Sequence, residues 1–214
     1  MARISRVPAQ DADQEVQTTY QYTRQGFAEL TGRETENMIE PLELLAHVPG
    51  LLRGLMTLEQ ATAELDRVDK RLKALANLKT ATLTHCEYCI DIASQISRQW
   101  GLSDEELLAL PFYKTSPLFS DLEKLVLDYA VGMSRTPVEV PDALFARLRE
   151  HFDDAQLVEL THLIALENLH GRFNLALGIG SAGFTEGMVC AVPAFAKPPA
   201  NGNFDVPSDA AAAL

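Results

Sequence analysis

The sequence contains few cysteines, no surplus of basic residues and no long apolar run. Each of these shortages argues against one class of protein. Three cysteines in 214 residues are too few, and odd in number, for a disulfide scaffold. The 18 basic residues against 30 acidic ones leave a net charge of −12. Nucleic acid and anionic membranes are therefore not expected as partners, because binding to phosphates requires a basic surface.

Signals for export and for membrane insertion are also missing from the sequence. The N-terminus carries Arg3 and Arg6 but no apolar run behind them, which a secretory signal would need. No stretch approaches the roughly 20 apolar residues of a membrane-spanning helix. We therefore predict a cytoplasmic protein.

Alternating apolar and polar residues are almost absent, and residues 138–140 give the only hint of a strand. Apolar residues instead recur at helical spacing, most regularly over 119–133. The pattern predicts an all-α protein with helices over 11–30, 34–47, 51–65, 68–83, from the cysteine motif to Trp100, 103–110, 119–133, 141–152 and 153–173. On the helix over 68–83 the basic residues are expected on the solvated side: Lys70, Arg71, Lys73 and Lys79.

The chain is predicted to divide into three parts. Residues 1–40 form an N-terminal helical arm and residues 41–178 form the main helical domain. Residues 179–214 form a C-terminal extension rich in glycine, alanine and proline, which ends in a loose tail.

One stretch carries most of the chemistry of the sequence. His85, Cys86, Glu87, Cys89 and Asp91 fall within seven residues, just before a predicted helix. A Cys-x-x-Cys pair at a helix start can close into a disulfide, and the free N–H groups and the helix dipole there favour a thiolate. The pair therefore indicates thiol redox chemistry, with His85, Glu87 and Asp91 as candidates for proton handling.

Two other interpretations of the cysteine pair stay open. The cysteines can be buried small side chains, as the isolated Cys190 is expected to be. A closed zinc site is less well supported, because it needs a second pair of ligands, and the remaining histidines are scattered along the chain at positions 47, 151, 162 and 170. We predict neither a metal nor another cofactor.

The run from Cys86 to Ile90 resembles the signature of the carboxymuconolactone decarboxylase-like superfamily, which includes the AhpD alkylhydroperoxidases. Four further segments are similar to the corresponding parts of the superfamily: 45–52, 71–79, 119–125 and 152–160. The resemblance covers about residues 42–178. It implies an AhpD-like all-α helical domain, and it identifies the fold more specifically than the activity.

The resemblance implies roles for the two cysteines. Cys89 would attack a hydroperoxide and Cys86 would resolve the product to a disulfide, which a dithiol carrier such as a lipoylated protein would reduce. Members of the superfamily usually assemble as trimers or hexamers, so a homo-oligomer is expected. The superfamily's proton relay falls on Ala74 and Ala93 here, and the residue before the second cysteine is Tyr88.

Because neither alanine can move a proton, any relay must use other side chains. His85, Glu87 and Asp91 are the local substitutes, and Glu64 or Glu167 could reach the site through the fold. Three functions follow from the sequence: a peroxidase that uses the cysteine pair, a non-redox decarboxylase, lyase or isomerase acting on a small carboxylate or lactone, and a non-catalytic oligomeric redox sensor.

Overall fold

The computed structural model describes residues 2–191, and within this part of the chain every regular element is helical. Its α-helices are α1 Gln14–Thr31, α2 Glu40–Leu45, α3 Pro49–Ala63, α4 Lys70–Thr84, α5 Glu87–Gln99, α6 Asp104–Ala109, α7 Asp121–Ser134, α8 Asp142–Arg149 and α9 Asp154–Leu177. This confirms the all-α prediction. The hint of a strand at 138–140 corresponds to a single backbone hydrogen bond from Glu139 to Gly132 of α7.

One predicted helix is much shorter than its pattern indicated. The expected helix over 34–47 is wrong for its first part, because the structure begins α2 only at Glu40. Pro41 occupies the first turn, where its missing N–H and fixed φ favour a helix start. Turns precede it, and Arg24 donates to the carbonyls of Thr35 and Glu36 there.

Helix α4 lies at the centre of the domain and packs against α5, α7 and α9. Leu75 and Leu78 on this helix are fully buried, in the core on the α5 side. Because neighbours surround α4, the prediction of a solvated face is wrong for Lys73 and Lys79, which are both buried. Lys73 is paired with Glu159 of α9 at 3.1 Å, and the Lys79 ammonium lies 4.9 Å from the centre of the Tyr113 ring.

Arg71 connects the start of α4 to the starts of α6 and α7. Glu106 and Glu123 each close a capping box, in which the glutamate accepts from the backbone of the cap residue, and both also bind the Arg71 guanidinium. The hydrogen bond to Glu106 raises the pKa of Arg71; burial opposes this shift, and the hydrogen bond to Glu123 and the charges of both carboxylates add to it. The three helices are therefore fixed together at one end of the domain.

Helices α4 and α9 run side by side in the same direction. Lys73 pairs with Glu159 near their beginnings, and Cys86, just beyond α4, lies beside Asn174 near the end of α9. This arrangement brings the last turns of α9 to the cysteine motif.

The two ends of the described chain pack on the domain. Helix α1 contacts α5, and Phe27 of α1 meets Phe184 edge-on at 6.1 Å between ring centres. In the extension, Ile179, Ala182 and Phe184 are buried, so its first part belongs to the core. The predicted loose tail lies outside the described residues. None of the helices within 2–191 has both the length and the apolarity needed to span a membrane.

Candidate active site

The cysteine motif forms the corner between α4 and α5. His85 ends α4 in the left-handed conformation, with φ 58°, which is uncommon for a residue other than glycine. Cys86 is the N-cap of α5, and its Sγ accepts a hydrogen bond from the backbone N–H of Cys89 at 3.2 Å. The pair therefore lies in the first turn of a helix, as the sequence predicts, where N–H groups and the helix dipole favour negative charge on sulfur.

Cys86 and Cys89 are joined by a disulfide, with their Cα atoms 5.2 Å apart. Both side chains are almost completely buried, at 0% and 3% exposed. The amide nitrogen of Asn174 lies 3.5 Å from each of the two Sγ atoms, and Asn174 is itself 3% exposed. A side chain from α9 thus completes a site whose other residues come from the α4–α5 corner.

Asn174 is not among the site residues predicted from the sequence, although the sequence contains a signal for it. Leu157, Leu160, Ile164, Gly171 and Asn174 follow one another at helical spacing along the buried face of α9. An asparagine on such a face requires a hydrogen-bonding partner, because burying a polar side chain without one is unfavourable. The sequence could therefore indicate a buried polar contact, but not that its partners are the cysteines.

His85 and Glu87, which flank Cys86 in the chain, differ in exposure. His85 is half-buried, and burial lowers the pKa of its imidazole, so the ring is uncharged at neutral pH. Glu87 is exposed in the first turn of α5, and its Oε2 faces Gly180, where an added Cβ would lie 3.8 Å away. Both predicted residues therefore lie at the corner that holds the cysteines.

Comparison with known proteins identifies the family. The model of the carboxymuconolactone decarboxylase family matches residues 49–131, a segment that contains both cysteines. The uncharacterized protein YnjA of Escherichia coli K12 is 43% identical over 137 residues, which cover 64% of this chain and 70% of that protein. The chain belongs to the carboxymuconolactone decarboxylase family.

Solved structures show the same fold at low sequence identity. An uncharacterized peroxidase-related protein of Ralstonia eutropha JMP134, described as an alkylhydroperoxidase AhpD core, is 18% identical with a TM-score of 0.68, covering 92% of this chain and 98% of that chain. A cysteine-to-alanine variant of the debrominase Bmp8, in complex with 2,3,4-tribromopyrrole, is 16% identical with a TM-score of 0.68, covering 83% of this chain and 92% of that chain. At these identities the likeness concerns the fold.

The positions that carry the AhpD-type proton relay are apolar in this member of the carboxymuconolactone decarboxylase family. Ala74 and Ala93 are both buried in the core. Tyr88, which precedes the second cysteine, donates its hydroxyl to the carbonyl of Met38 at 2.5 Å, and burial raises its pKa. The structure therefore holds the cysteine pair with alanines at the two positions where the resemblance implies a proton relay.

Asp91, the third local candidate for proton handling, instead anchors the C-terminal extension to α5. Its two oxygens accept five hydrogen bonds from the extension: the Ser181 hydroxyl, the Gly183, Phe184 and Thr185 backbone N–H groups and the Thr185 hydroxyl. The side chain is 2% exposed. With its oxygens committed in this way, Asp91 holds residues 181–185 against α5, and we do not include it among the proton-handling groups.

The two distant glutamates lie in different environments. Glu64 is exposed at the end of α3. Glu167 is buried on the face of α9 that also carries Asn174, with Oε2 4.0 Å from Nδ1 of His170, whose Nε2 in turn lies 2.8 Å from Glu59. Burial raises the pKa of Glu167 to about 7. The structure therefore contains a buried acid on the same face of α9 as Asn174, roughly 10 Å from it along the helix.

Cys190 stays separate from the redox pair. It is a free, partly buried thiol, and its Sγ lies 3.5 Å from the Ser94 hydroxyl and 3.9 Å from the Ile90 carbonyl. Across residues 2–191 the histidine, cysteine, aspartate and glutamate side chains form no group of three or more that could hold a metal ion.

Proposed function

We propose that the protein is a thiol-dependent oxidoreductase that reduces organic hydroperoxides through a Cys86–Cys89 disulfide. The observation that supports this most directly is the disulfide itself, buried in the first turn of α5. Membership of the carboxymuconolactone decarboxylase family and the likeness in fold to a peroxidase-related protein agree with the proposal.

In the proposed reaction the Cys89 thiolate attacks the outer oxygen of the hydroperoxide, and the O–O bond breaks. The alkoxide takes up a proton and leaves as an alcohol, while Cys89 becomes a sulfenic acid. The Cys86 thiol condenses with it to give the disulfide and water. A dithiol carrier, such as a lipoylated protein, then supplies two electrons and two protons and restores both thiols.

His85 and Glu87 are the groups that we propose to handle protons. Burial lowers the pKa of His85 and so keeps its imidazole in the neutral form, which can accept the proton of a thiol. The side chain of Glu87 is exposed and would connect the site to water. Together they would take over the task that Ala74 and Ala93 cannot perform.

Stopped-flow mixing of the reduced protein with cumene hydroperoxide tests the function. We expect one alcohol per disulfide formed, no reaction for C89S, and a sulfenic acid trapped by dimedone in C86S. The matched control is C190S, which removes the free thiol and should react normally. Free thiols that persist in the wild-type protein under excess peroxide would contradict the proposal.

A non-redox reaction on a small carboxylate or lactone is the second candidate, and the apolar character of Ala74 and Ala93 favours it. In that case the C86S/C89S double variant should keep its turnover of a lactone substrate, whereas an inactive double variant would argue against it. A redox sensor is the third candidate. It would show a thiol pKa near the free value of about 8.5 and no turnover.

We also propose that the protein assembles as a trimer or hexamer. Large apolar side chains are exposed on α3 and α9, among them Leu51, Leu58, Val158 and Leu169. Covering such surfaces in an assembly would remove them from water. Light scattering after gel filtration should give three or six times the chain mass of 23.5 kDa, and a monomeric mass would refute this part of the proposal.

A further inference from the structure

We infer that Asn174 is a positioning residue that donates hydrogen bonds to the sulfur atoms of Cys86 and Cys89 and thereby keeps the reduced pair ionised and reactive. The inference deepens the proposed function, since it names what stabilises the attacking thiolate. It rests on the geometry of one side chain from α9 that reaches both sulfurs.

The orientation of the Asn174 amide follows from the chemistry of its neighbours. The sulfurs of a disulfide carry no hydrogen, so they can only accept. The NH2 group must therefore face them, and its two N–H bonds can serve one sulfur each at 3.5 Å. The backbone of Asn174 is fixed as well, because its carbonyl accepts from the N–H groups of Gly178 and Ile179 at the end of α9.

Burial makes these donors important for the reduced protein. A thiolate removed from water is unfavourable, and burial by itself raises the pKa of a cysteine. Both cysteines are almost fully buried. Hydrogen bonds to an ionised acceptor are about twice as strong as those to a neutral one, so the Asn174 amide stabilises a thiolate more than it stabilises a thiol or a disulfide.

The other groups around the pair act differently. His85 and Glu87 lie on either side of Cys86 in the chain, and Asp91 lies beyond Cys89 on α5, where it binds residues 181–185. The backbone N–H of Cys89 donates to Cys86. The α9 residue that reaches the sulfurs is uncharged. It can therefore stabilise negative charge on sulfur without a proton of its own to lose.

The variants N174L and N174D test the inference in the full-length protein. The thiol pKa is read from the thiolate absorbance near 240 nm in reduced protein, with C86S present to isolate Cys89. The rate of alkylation by iodoacetamide at pH 7 and the equilibrium with a glutathione buffer are the second and third readouts. None of these measurements requires a peroxide.

For N174L we expect alkylation about tenfold slower and an equilibrium displaced about tenfold toward the disulfide, which corresponds to a thiol pKa raised by about one unit. For N174D, which has nearly the same shape, we expect a larger effect, because its carboxylate repels the thiolate. The order Asn, Leu, Asp is specific to electrostatic stabilisation, and loss of packing alone would not produce it. N174D also provides the test if N174L does not fold.

Asn168 provides the matched control, because it is a buried asparagine on the same helix whose amide nitrogen bonds Ser134 instead of sulfur. N168L should leave the thiol pKa and the alkylation rate unchanged. A folded N174L or N174D with wild-type thiol pKa would overturn the inference, as would an equal shift in N168L. If Asn174 shifts the pKa but the protein does not turn over peroxide, the proposed function fails and the inference stands.

Discussion

A Cβ atom added to Gly171 would lie 2.5 Å from the Thr84 Oγ1 atom, so α9 passes the last residue of α4 at a distance that glycine allows and alanine does not. The contact lies about one turn before Asn174 on α9 and two residues before Cys86, which follows the end of α4. The close approach therefore determines how near the Asn174 amide comes to the sulfurs.

The G171A variant should separate the two helices at this point. We expect it to lower the free energy of unfolding by about 1–3 kcal/mol, the usual result of overpacking, and to slow thiol alkylation, because Asn174 moves away from the sulfurs. Urea unfolding and iodoacetamide kinetics measure the two effects. The control is G54A on the exposed side of α3, where an added Cβ would have no other atom within 4 Å. It should be neutral or stabilise by up to about 1 kcal/mol. Equal stability of G171A and G54A would contradict the prediction.

The positions of most helices could be predicted because their signals are local. The capping box of Ser103 with Glu106 and the cap of Asp153 with Gln156 begin α6 and α9 where the sequence indicates. Likewise, the cysteine pair could be placed in the first turn of a helix from the residues around it. These features depend on side chains within one or two turns of each other.

The remaining features depend on partners far apart in the chain. The local pattern places Lys73 on a solvated face, because its partner Glu159 lies on α9, far away in the chain. The local pattern makes Asp91 a candidate for proton handling, because residues 181–185, which bind it, lie about 90 positions later. Asn174 contacts the cysteines only because α4 and α9 run side by side. Helical spacing indicates which face is buried, but not which helix covers it.

Substitution of Asp91 should release the extension from α5. D91N replaces an acceptor-only carboxylate, which binds five donors, by an amide whose NH2 group would face N–H and O–H groups. We expect a loss of about 2–4 kcal/mol in unfolding free energy and faster proteolysis within 180–190. S181A removes one donor only and should lose about 1 kcal/mol. Resistance of D91N to proteolysis at the wild-type level would show that the extension is held by other contacts.

Glu167 should make stability depend on pH. Burial raises its pKa to about 7 in the folded protein from 4.5. The folded state therefore holds the proton more tightly than the unfolded state. The contribution of Glu167 to stability is complete below about pH 4.5 and is lost as the pH rises through 7. The free energy of unfolding lost in this way is about 3 kcal/mol at pH 8. Urea unfolding between pH 5 and pH 8 should show a much smaller decrease in unfolding free energy for E167Q than for the wild-type protein.

Part of the pH dependence should remain in E167Q. Although burial opposes it, the hydrogen bond to Glu59 raises the pKa of His170, so this group also loses its stabilising effect as the pH rises. E64Q, at an exposed glutamate, is the control and should follow the wild-type curve. A wild-type slope in E167Q would mean that Glu167 is already ionised in the folded protein at pH 5.

Removing only one partner of the ion pair between Lys73 and Glu159 should destabilise the protein strongly. Both side chains are buried, and Glu159 also accepts from the backbone N–H groups of Arg67 and Val68 just before α4. Removing the carboxylate in E159L leaves a buried ammonium with the Leu65 carbonyl as its remaining acceptor. We expect the unfolding free energy to fall by about 3–5 kcal/mol for E159L and by a similar amount for K73M, which leaves the carboxylate without its cation.

The double variant K73M/E159L removes both charges, and its loss of unfolding free energy should be much less than the two single losses added together. Urea unfolding of the four proteins measures this coupling, and strictly additive losses would show that the two charges act independently.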